Sequence, residues 1–71
     1  MEQKNNEPVT GVVIEALPNV LFRILLDSNR EEKLAYLAGK MRLHRIKVLV
    51  GDRVELWLDP YGGKARIVKR L

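Results

Sequence analysis

The stretch Gly51-Asp52-Arg53-Val54-Glu55-Leu56-Trp57-Leu58-Asp59 carries the clearest secondary-structure signal in the chain. Its Gly-Asp pair is typical of a turn, and the residues after the pair alternate with a period of two. Because successive side chains of a β-strand point to opposite faces, Val54, Leu56 and Leu58 are expected to face a core. The opposite face receives Arg53, Glu55, Trp57 and Asp59. The stretch therefore predicts a half-buried strand that follows a turn.

Four further apolar runs, separated by turn-forming residues, have the composition of strands. Residues 9–15 are rich in β-branched side chains, and the runs 21–26, 32–38 and 65–69 also have strand character. The proline and asparagine of Leu17-Pro18-Asn19 end the first run. A polar hairpin connection over residues 27–31 follows the second strand, and a loop over residues 60–63 follows the fourth. Residues 32–35 taken alone are also compatible with the start of a helix. Arg23, a charge inside an apolar run, is expected at an edge or on the outside.

Residues 39–47, Gly-Lys-Met-Arg-Leu-His-Arg-Ile-Lys, hold four positive charges and no acid. Their apolar residues follow no sustained period, so one short helical turn and a loop are predicted for this basic segment. Five strands with a helical turn between the third and the fourth are the plan of an oligonucleotide-binding (OB-fold) barrel, which binds single strands across strands two and three. We therefore expect an all-β, five-stranded OB-fold barrel over residues 9–71 as a single domain, preceded by a disordered tail over residues 1–8.

Charge is distributed unevenly along the chain, which carries a net charge of +4. Residues 1–38 hold four bases and six acids, a balance of −2. Residues 39–71 hold nine bases and three acids, a balance of +6. A small domain that concentrates its bases in this way attracts phosphates, so nucleic acid is the expected partner.

The composition argues against an enzyme and predicts no cofactor and no metal. His44, Ser28 and Thr10 are the sole residues of their types, and the chain has no cysteine. A catalytic triad or a zinc site needs several such residues together. Gly62-Gly63-Lys64 is not followed by the Ser or Thr that a phosphate-binding loop requires. The polar start has no signal-peptide core and no apolar run approaches about 20 residues, so a soluble cytoplasmic protein is predicted. We expect it to be a monomer.

A set of motifs along the chain carries a resemblance to a known family. Leu17-Pro18-Asn19 with Phe22-Arg23 is followed by Gly39-Lys40-Met41-Arg42, and this combination is specific. Less specific matches extend the resemblance over nearly the whole chain from residue 9: Gly51-Asp52, Pro60-Tyr61 and Arg66-Ile67. Together these motifs resemble bacterial translation initiation factor 1, a family of S1-like OB-fold barrels.

The resemblance implies a translation initiation factor that occupies the aminoacyl site of the small ribosomal subunit. It implies contacts with ribosomal RNA of the decoding region and with a neighbouring ribosomal protein. It also implies cooperation with the other two initiation factors in placing initiator tRNA in the peptidyl site. The chain departs from the usual family pattern at Arg45, Gly62 and Ala65 and in the lengths of two loops. These departures indicate a divergent member.

The candidate RNA contacts are mostly basic. One group, in the basic segment, is predicted to contact phosphate instead of remaining a solvated loop: Lys40, Arg42, Arg45 and Lys47. A second group is predicted to contact RNA instead of forming a fraying tail: Lys64, Arg66, Lys69 and Arg70. Arg23 is either an RNA contact from the second strand or a cross-strand partner of Glu32. Tyr36 and Tyr61 either pack at the barrel rim or stack on RNA.

Three other residues receive no RNA role at this point. Phe22 is predicted to lie in the core, and His44 is predicted to be an ordinary loop residue. Trp57 is placed on the outer face, half covered by a neighbouring loop.

Two other functions remain open. A general single-stranded RNA chaperone of the cold-shock kind would present several aromatics on strands two and three, where this chain has Phe22 and Tyr36. A protein-binding adaptor with an SH3-like barrel would explain the strands. It would leave the bases of residues 40–47 and 64–70 without a role.

Overall fold

The structure, a computed structural model, describes residues 8–71, so the predicted tail lies outside the described residues except for Pro8. Five strands and one short helix follow one another along the chain. Their bounds are β1 Val9–Leu17, β2 Leu21–Leu26, β3 Glu32–Leu37, α1 Gly39–Leu43, β4 Arg53–Trp57 and β5 Ala65–Arg70. A 3₁₀ turn over Pro18–Val20 joins β1 to β2. Among residues 8–71, no helix has the length and apolar character needed to cross a membrane.

The five strands close into a barrel in the order β1-β2-β3-β5-β4, with β4 pairing back onto β1. Every neighbouring pair is antiparallel except β3 and β5, which are parallel. The all-β barrel with a helical turn between its third and fourth strands is therefore confirmed. Because β3 and β5 run in the same direction, their carboxyl ends meet at one end of the barrel, where α1 begins.

Alternating side chains fill the barrel. In β2 the side chains of Phe22, Ile24 and Leu26 are buried, and those between them point outward. Phe22 thus lies in the core, as predicted. The remaining core residues come from the other strands, from α1 and from the loop after it: Val13, Ala35, Leu37, Met41, Val48, Val54, Leu56, Ala65 and Ile67. At about 25 cal/mol per Å² of apolar surface removed from water, this burial is the main stabilising term.

Gly11 lies where β1 passes close to β2. A β-carbon at this position would lie 2.6 Å from the carbonyl oxygen of Leu25 and 2.7 Å from a methyl carbon of Ile24. Both distances are shorter than van der Waals contact, and one of them is to backbone that cannot swing away. The barrel therefore requires glycine here for close approach of the two strands.

Strand ends differ from the predicted ones by one or two residues. β1 continues past residue 15 because Ala16 and Leu17 still pair with β2, after a bulge between Val13 and Glu15. β3 stops one residue early, since the carbonyl of Ala38 accepts the backbone N–H groups of α1 instead of continuing the strand. β5 extends to Arg70, which pairs with Val54.

The prediction that Leu58 faces the core is wrong. β4 ends at Trp57, which pairs with Arg66, the second residue of β5. The pairing of β4 with β1 ends one residue earlier, at Leu56 opposite Val9. Beyond Trp57 the chain has no neighbouring strand to hold the alternation. Leu58 is consequently 39% exposed and belongs to an outer surface.

Candidate nucleic-acid interface

The parallel pairing of β3 and β5 brings two distant basic parts of the sequence together. α1 leaves the carboxyl end of β3, and the backbone N–H of Ala38 donates to the carbonyl of Ile67 (2.8 Å), which continues the pairing up to the helix. The last residues of β5 therefore run beside α1. Between them is a groove of about 590 Å³, the α1–β5 groove, lined by Lys40, Met41, His44, Ile46, Val68, Lys69, Arg70 and Leu71.

Helix α1 is held by one apolar side chain. Met41 is 1% exposed and closes the end of the barrel, while its backbone N–H donates to the carbonyl of Ala38. With Met41 directed inward, Lys40 and Arg42 on either side of it are exposed. Arg45 and Lys47, in the loop that follows, are exposed as well. The sequence thus anchors the basic segment by its middle residue and turns its charges to solvent.

The loop after α1 is fastened to the barrel at several points. The guanidinium of Arg70 donates to the carbonyl of Lys47 (3.1 Å) and lies 3.9 Å from a carboxylate oxygen of Asp52. That carboxylate also accepts the backbone N–H of Leu49 (2.8 Å). Val48 is buried between these contacts. Arg70, predicted as an RNA contact, therefore positions the basic loop, whatever else it binds.

Ion pairs neutralise bases on the acidic half of the barrel. The guanidinium of Arg23 lies 3.0 Å from a carboxylate oxygen of Glu15 and 3.7 Å from one of Glu32. The predicted cross-strand pair of Arg23 with Glu32 is therefore present in the structure. Lys33 lies 3.7 Å from Glu31. By contrast, five bases of the basic segment and the end of β5 form no ion pair with any acid of residues 8–71: Lys40, Arg42, Arg45, Lys47 and Lys69. The largest group of bases without an acidic partner among residues 8–71 is thus at the α1 end.

A carboxylate network ties β1, β2 and β4 together away from this groove. The hydroxyl of Thr10 donates to Asp27 (2.7 Å), and the guanidinium of Arg53 donates to the same carboxylate oxygen. The hydrogen bond from Thr10 and the charge of Arg53 hold the pKa of Asp27 below its ordinary value of 3.8. Because both partners favour the charged form, Asp27 is ionised in the folded protein near neutral pH.

The other predicted contacts do not join the α1–β5 groove. Tyr36, Lys64 and Arg66 line a second depression of about 330 Å³ on the outer barrel wall, together with Trp57 and the loop residues 58–60. We call this depression the outer cleft. Tyr61 is 94% exposed at a loop tip and lines neither depression. Of the eleven predicted contacts, three line the α1–β5 groove (Lys40, Lys69 and Arg70) and three line the outer cleft (Tyr36, Lys64 and Arg66). Arg42, Arg45 and Lys47 are exposed in the basic segment beside the groove without lining it, and Arg23 and Tyr61 lie apart from both depressions.

Sequence reasoning placed Trp57 on the outer face but gave it no role at a site. The structure sets Trp57 directly opposite Arg66 in the β4–β5 pairing. The period-two alternation of β4 predicts that the side chain of Trp57 points outward. The cross-strand neighbour was not readable from that pattern, because it depends on the register between β4 and β5.

Comparison with known proteins agrees with the fold and the motifs. A model of the family described as Translation initiation factor 1A / IF-1 matches residues 1–71. The chain belongs to this family. The solution structure of translation initiation factor IF-1 from the Wolbachia endosymbiont strain TRS of Brugia malayi is similar with a TM-score of 0.77 and 37% identity, over 96% of this chain and 80% of that one.

A second solved structure shares the barrel within a longer chain. The crystal structure of YjeQ from Thermotoga maritima matches with a TM-score of 0.78 and 31% identity over 92% of this chain. The match spans 23% of the YjeQ chain, so the barrel described here corresponds to about a quarter of that protein. The barrel therefore occurs both in a short initiation factor and as part of a larger protein.

The described residues offer no group of ligands for a metal ion. Within 8–71, no three His, Asp or Glu side chains come close enough together to hold one. The chemistry that these residues present is charge, hydrogen-bond donors and a few aromatic faces. These are the means of binding RNA backbone and bases.

Proposed function

We propose that this family member binds the aminoacyl site of the small ribosomal subunit through ribosomal RNA of the decoding region. It acts there as a non-enzymatic translation initiation factor in the cytoplasm. The observation that carries this proposal is the convergence of the basic segment and the end of β5 on one groove. Family membership supplies the initiation role, and the groove supplies a surface that fits RNA phosphates.

Affinity in this proposal comes mainly from phosphate neutralisation. Five bases at the α1 end have no acidic partner among residues 8–71, so their charge is available to an RNA backbone. Each neutralised phosphate releases counterions, which makes binding steeply dependent on salt. Arginine at positions 42 and 45 can also fork onto a phosphate or stack on a splayed base.

Placement comes from the rigid attachment of the groove. Met41 anchors α1 in the core, and Arg70 with Asp52 fastens the following loop. The bases are therefore presented on a nearly fixed surface, and less conformational entropy is lost when RNA orders them.

Contacts with a neighbouring ribosomal protein and cooperation with the other two initiation factors form part of the proposal. Several apolar side chains remain exposed near the groove or on loops, including Leu43 at 76%. Leu49 and Val50, in the loop after α1, are more than half exposed. Apolar side chains of this kind are suited to protein contacts beside an RNA-binding groove.

A general RNA chaperone is less well supported by the outer face of β2 and β3. Phe22 is buried in the core, which leaves Tyr36 as the exposed aromatic on those two strands. The same face holds the ion pairs of Arg23 with Glu15 and Glu32. A face with one aromatic ring and balanced charge lacks the stacked platform on which such chaperones bind.

The test is binding of labelled protein to purified small subunits across a salt series, in competition with an unstructured RNA of equal nucleotide content. Stoichiometric binding that the free RNA does not displace is the expected result. Equal competition by the free RNA would reduce the function to general RNA binding. Absence of salt-sensitive binding to either would contradict an RNA partner altogether.

Cooperation with the other factors is tested in the same assay. Adding the other two initiation factors and initiator tRNA is expected to tighten binding of the labelled protein to the subunit. Unchanged affinity in their presence would leave subunit binding in place and remove the cooperative part of the proposal.

A further inference from the structure

The outer cleft places three planar side chains in one row. Tyr36 of β3 is paired with Arg66 of β5, and Arg66 is paired with Trp57 of β4. The flanking residues of β5, Ala65 and Ile67, are buried, so Arg66 points outward between the two aromatic residues. Neighbouring strands are about 4.8 Å apart, so the row spans roughly 10 Å of the barrel wall.

A loop forms one wall of the cleft, and the single acid of residues 8–71 that lines the cleft, Asp59, is hydrogen-bonded within this loop. One carboxylate oxygen of Asp59 accepts the backbone N–H of Tyr61 (3.1 Å), and the other accepts the backbone N–H of Gly63 (2.9 Å). Asp59 therefore holds the loop in shape. Lys64 and Arg66, the two bases that line the cleft, form no ion pair with any acid of residues 8–71. The cleft is left with a net positive charge.

We propose that the outer cleft binds one unpaired nucleobase of single-stranded RNA, stacked on Trp57 beside Arg66 and Tyr36, with an adjoining phosphate on Lys64. This inference rests on the proposed function in assuming that RNA is the partner. It adds a second subsite that shares no residue with the α1–β5 groove. It also gives Trp57 a role as a base-stacking residue.

The chemistry of the row favours a base over an acidic peptide. Aromatic rings and the guanidinium plane all offer flat faces to a base, and stacking of this kind tolerates any base identity. An acidic peptide would use the two positive charges and leave the faces of Trp57 and Tyr36 without a partner. The volume of about 330 Å³ is at the small end of ligand sites, which suits a single base.

Trp57 is the only tryptophan in the chain, so its fluorescence reports on this cleft alone. The experiment titrates the full-length protein with a five-nucleotide oligouridylate and, separately, with an abasic ribose-phosphate oligomer of equal length. Stacking of a base on the indole ring is expected to quench the fluorescence in a saturable way. The abasic oligomer carries the same phosphates and is expected to bind without quenching. Equal quenching by both oligomers, or by neither, would overturn the proposal.

Substitution of Trp57 gives a second readout. Trp57→Leu should weaken oligouridylate binding by about 5- to 150-fold, the range expected for loss of one stacked base, and Trp57→Phe should retain most of the affinity. The ring is only partly buried and lies outside the core, so both variants are expected to fold. If the Leu variant bound oligouridylate as tightly as the parent, the stacking role would be wrong.

Failure of this inference is distinguishable from failure of the proposed function. The variant Lys40→Ala/Arg42→Ala should lose affinity for the small subunit and keep the quenching of Trp57 by oligouridylate. Subunit binding with no base-dependent quenching would overturn the cleft and leave the proposed function intact. Base-dependent quenching without subunit binding would support the cleft and overturn the ribosomal site.

Discussion

Removing charge from α1 should change the salt dependence of subunit binding by a definable amount. The perturbation is Lys40→Ala/Arg42→Ala. Both side chains are exposed on either side of the buried Met41, and neither pairs with an acid of residues 8–71. The variant therefore removes two phosphate-binding charges without opening the core, and its free energy of unfolding should change little.

The magnitude follows from the number of uncompensated bases at the α1 end. If each of the five neutralises one phosphate, the log–log slope of affinity against salt is about −3.5 to −4.5, at roughly 0.7 to 0.9 for each contact. Between about 50 and 200 mM salt the parent should then lose roughly 130- to 500-fold in affinity. The double variant, with three such bases left, should have a slope of about −2.1 to −2.7 and lose roughly 20- to 40-fold over the same range.

The assay is equilibrium binding of labelled protein to purified small subunits at constant magnesium and varied monovalent salt. The matched control is Arg30→Ala/Lys33→Ala, which removes the same number of positive charges at the β2–β3 hairpin. Arg30 lies just before β3 and Lys33 is the second residue of β3, whereas α1 follows the end of β3, so the two pairs of charges lie at opposite ends of the strand, roughly 20 Å apart. The control should leave the slope of the parent unchanged.

Two results would refute this reasoning. If the double variant kept the slope of the parent, Lys40 and Arg42 would not contact phosphate. If the control lowered the slope as much as the double variant did, net charge alone would govern binding and the groove would have no special role.

Three further predictions concern the barrel. Gly11→Ala should lower the free energy of unfolding by about 1–3 kcal/mol, because the new methyl meets the Leu25 carbonyl; thermal unfolding measures it. Val20→Gly should raise the melting temperature, since a β-branched residue at φ 58° costs about 1–2 kcal/mol; a lower value would contradict that strain. Asp27→Asn should make the free energy of unfolding decrease less as the pH is lowered. Because the pKa of Asp27 is lowered in the folded protein, its ionised carboxylate stabilises the fold fully above pH 3.8, and this stabilisation is lost as the pH falls through the pKa of the folded state. Urea unfolding at several pH values checks this, with Glu55→Gln as the control.

The strands were predictable because the hydrophobic pattern of each is local. β2 was predicted with its observed bounds, since its apolar run and its flanking turns lie within a few positions of one another. The ends of the other strands depend on where a partner strand stops, which is not a local property. Leu58 shows the difference: the alternation continues through it, but pairing with β1 and β5 does not.

The candidate site was predictable as a set of bases and not as a surface. Charge counting identified the bases of residues 40–47 and 64–70, and all of these basic residues are exposed. Their division between two depressions follows from the parallel pairing of β3 with β5. That pairing sends Lys69 and Arg70 toward α1 and leaves Arg66 beside Tyr36. No local pattern in the sequence encodes this arrangement.

The segregation of ion pairs explains how so small a barrel could bind RNA in one orientation. The partners of Arg23, Lys33 and Arg53 are acids of the first half of the chain, and these exposed pairs each contribute little to stability. Their larger effect is on the surrounding field, because they cancel positive charge on that side while the α1 end keeps its own. The α1 end, with five bases that pair with no acid of residues 8–71 against two in the outer cleft, is the more strongly positive region, and long-range attraction turns that end toward a polyanion before any contact forms.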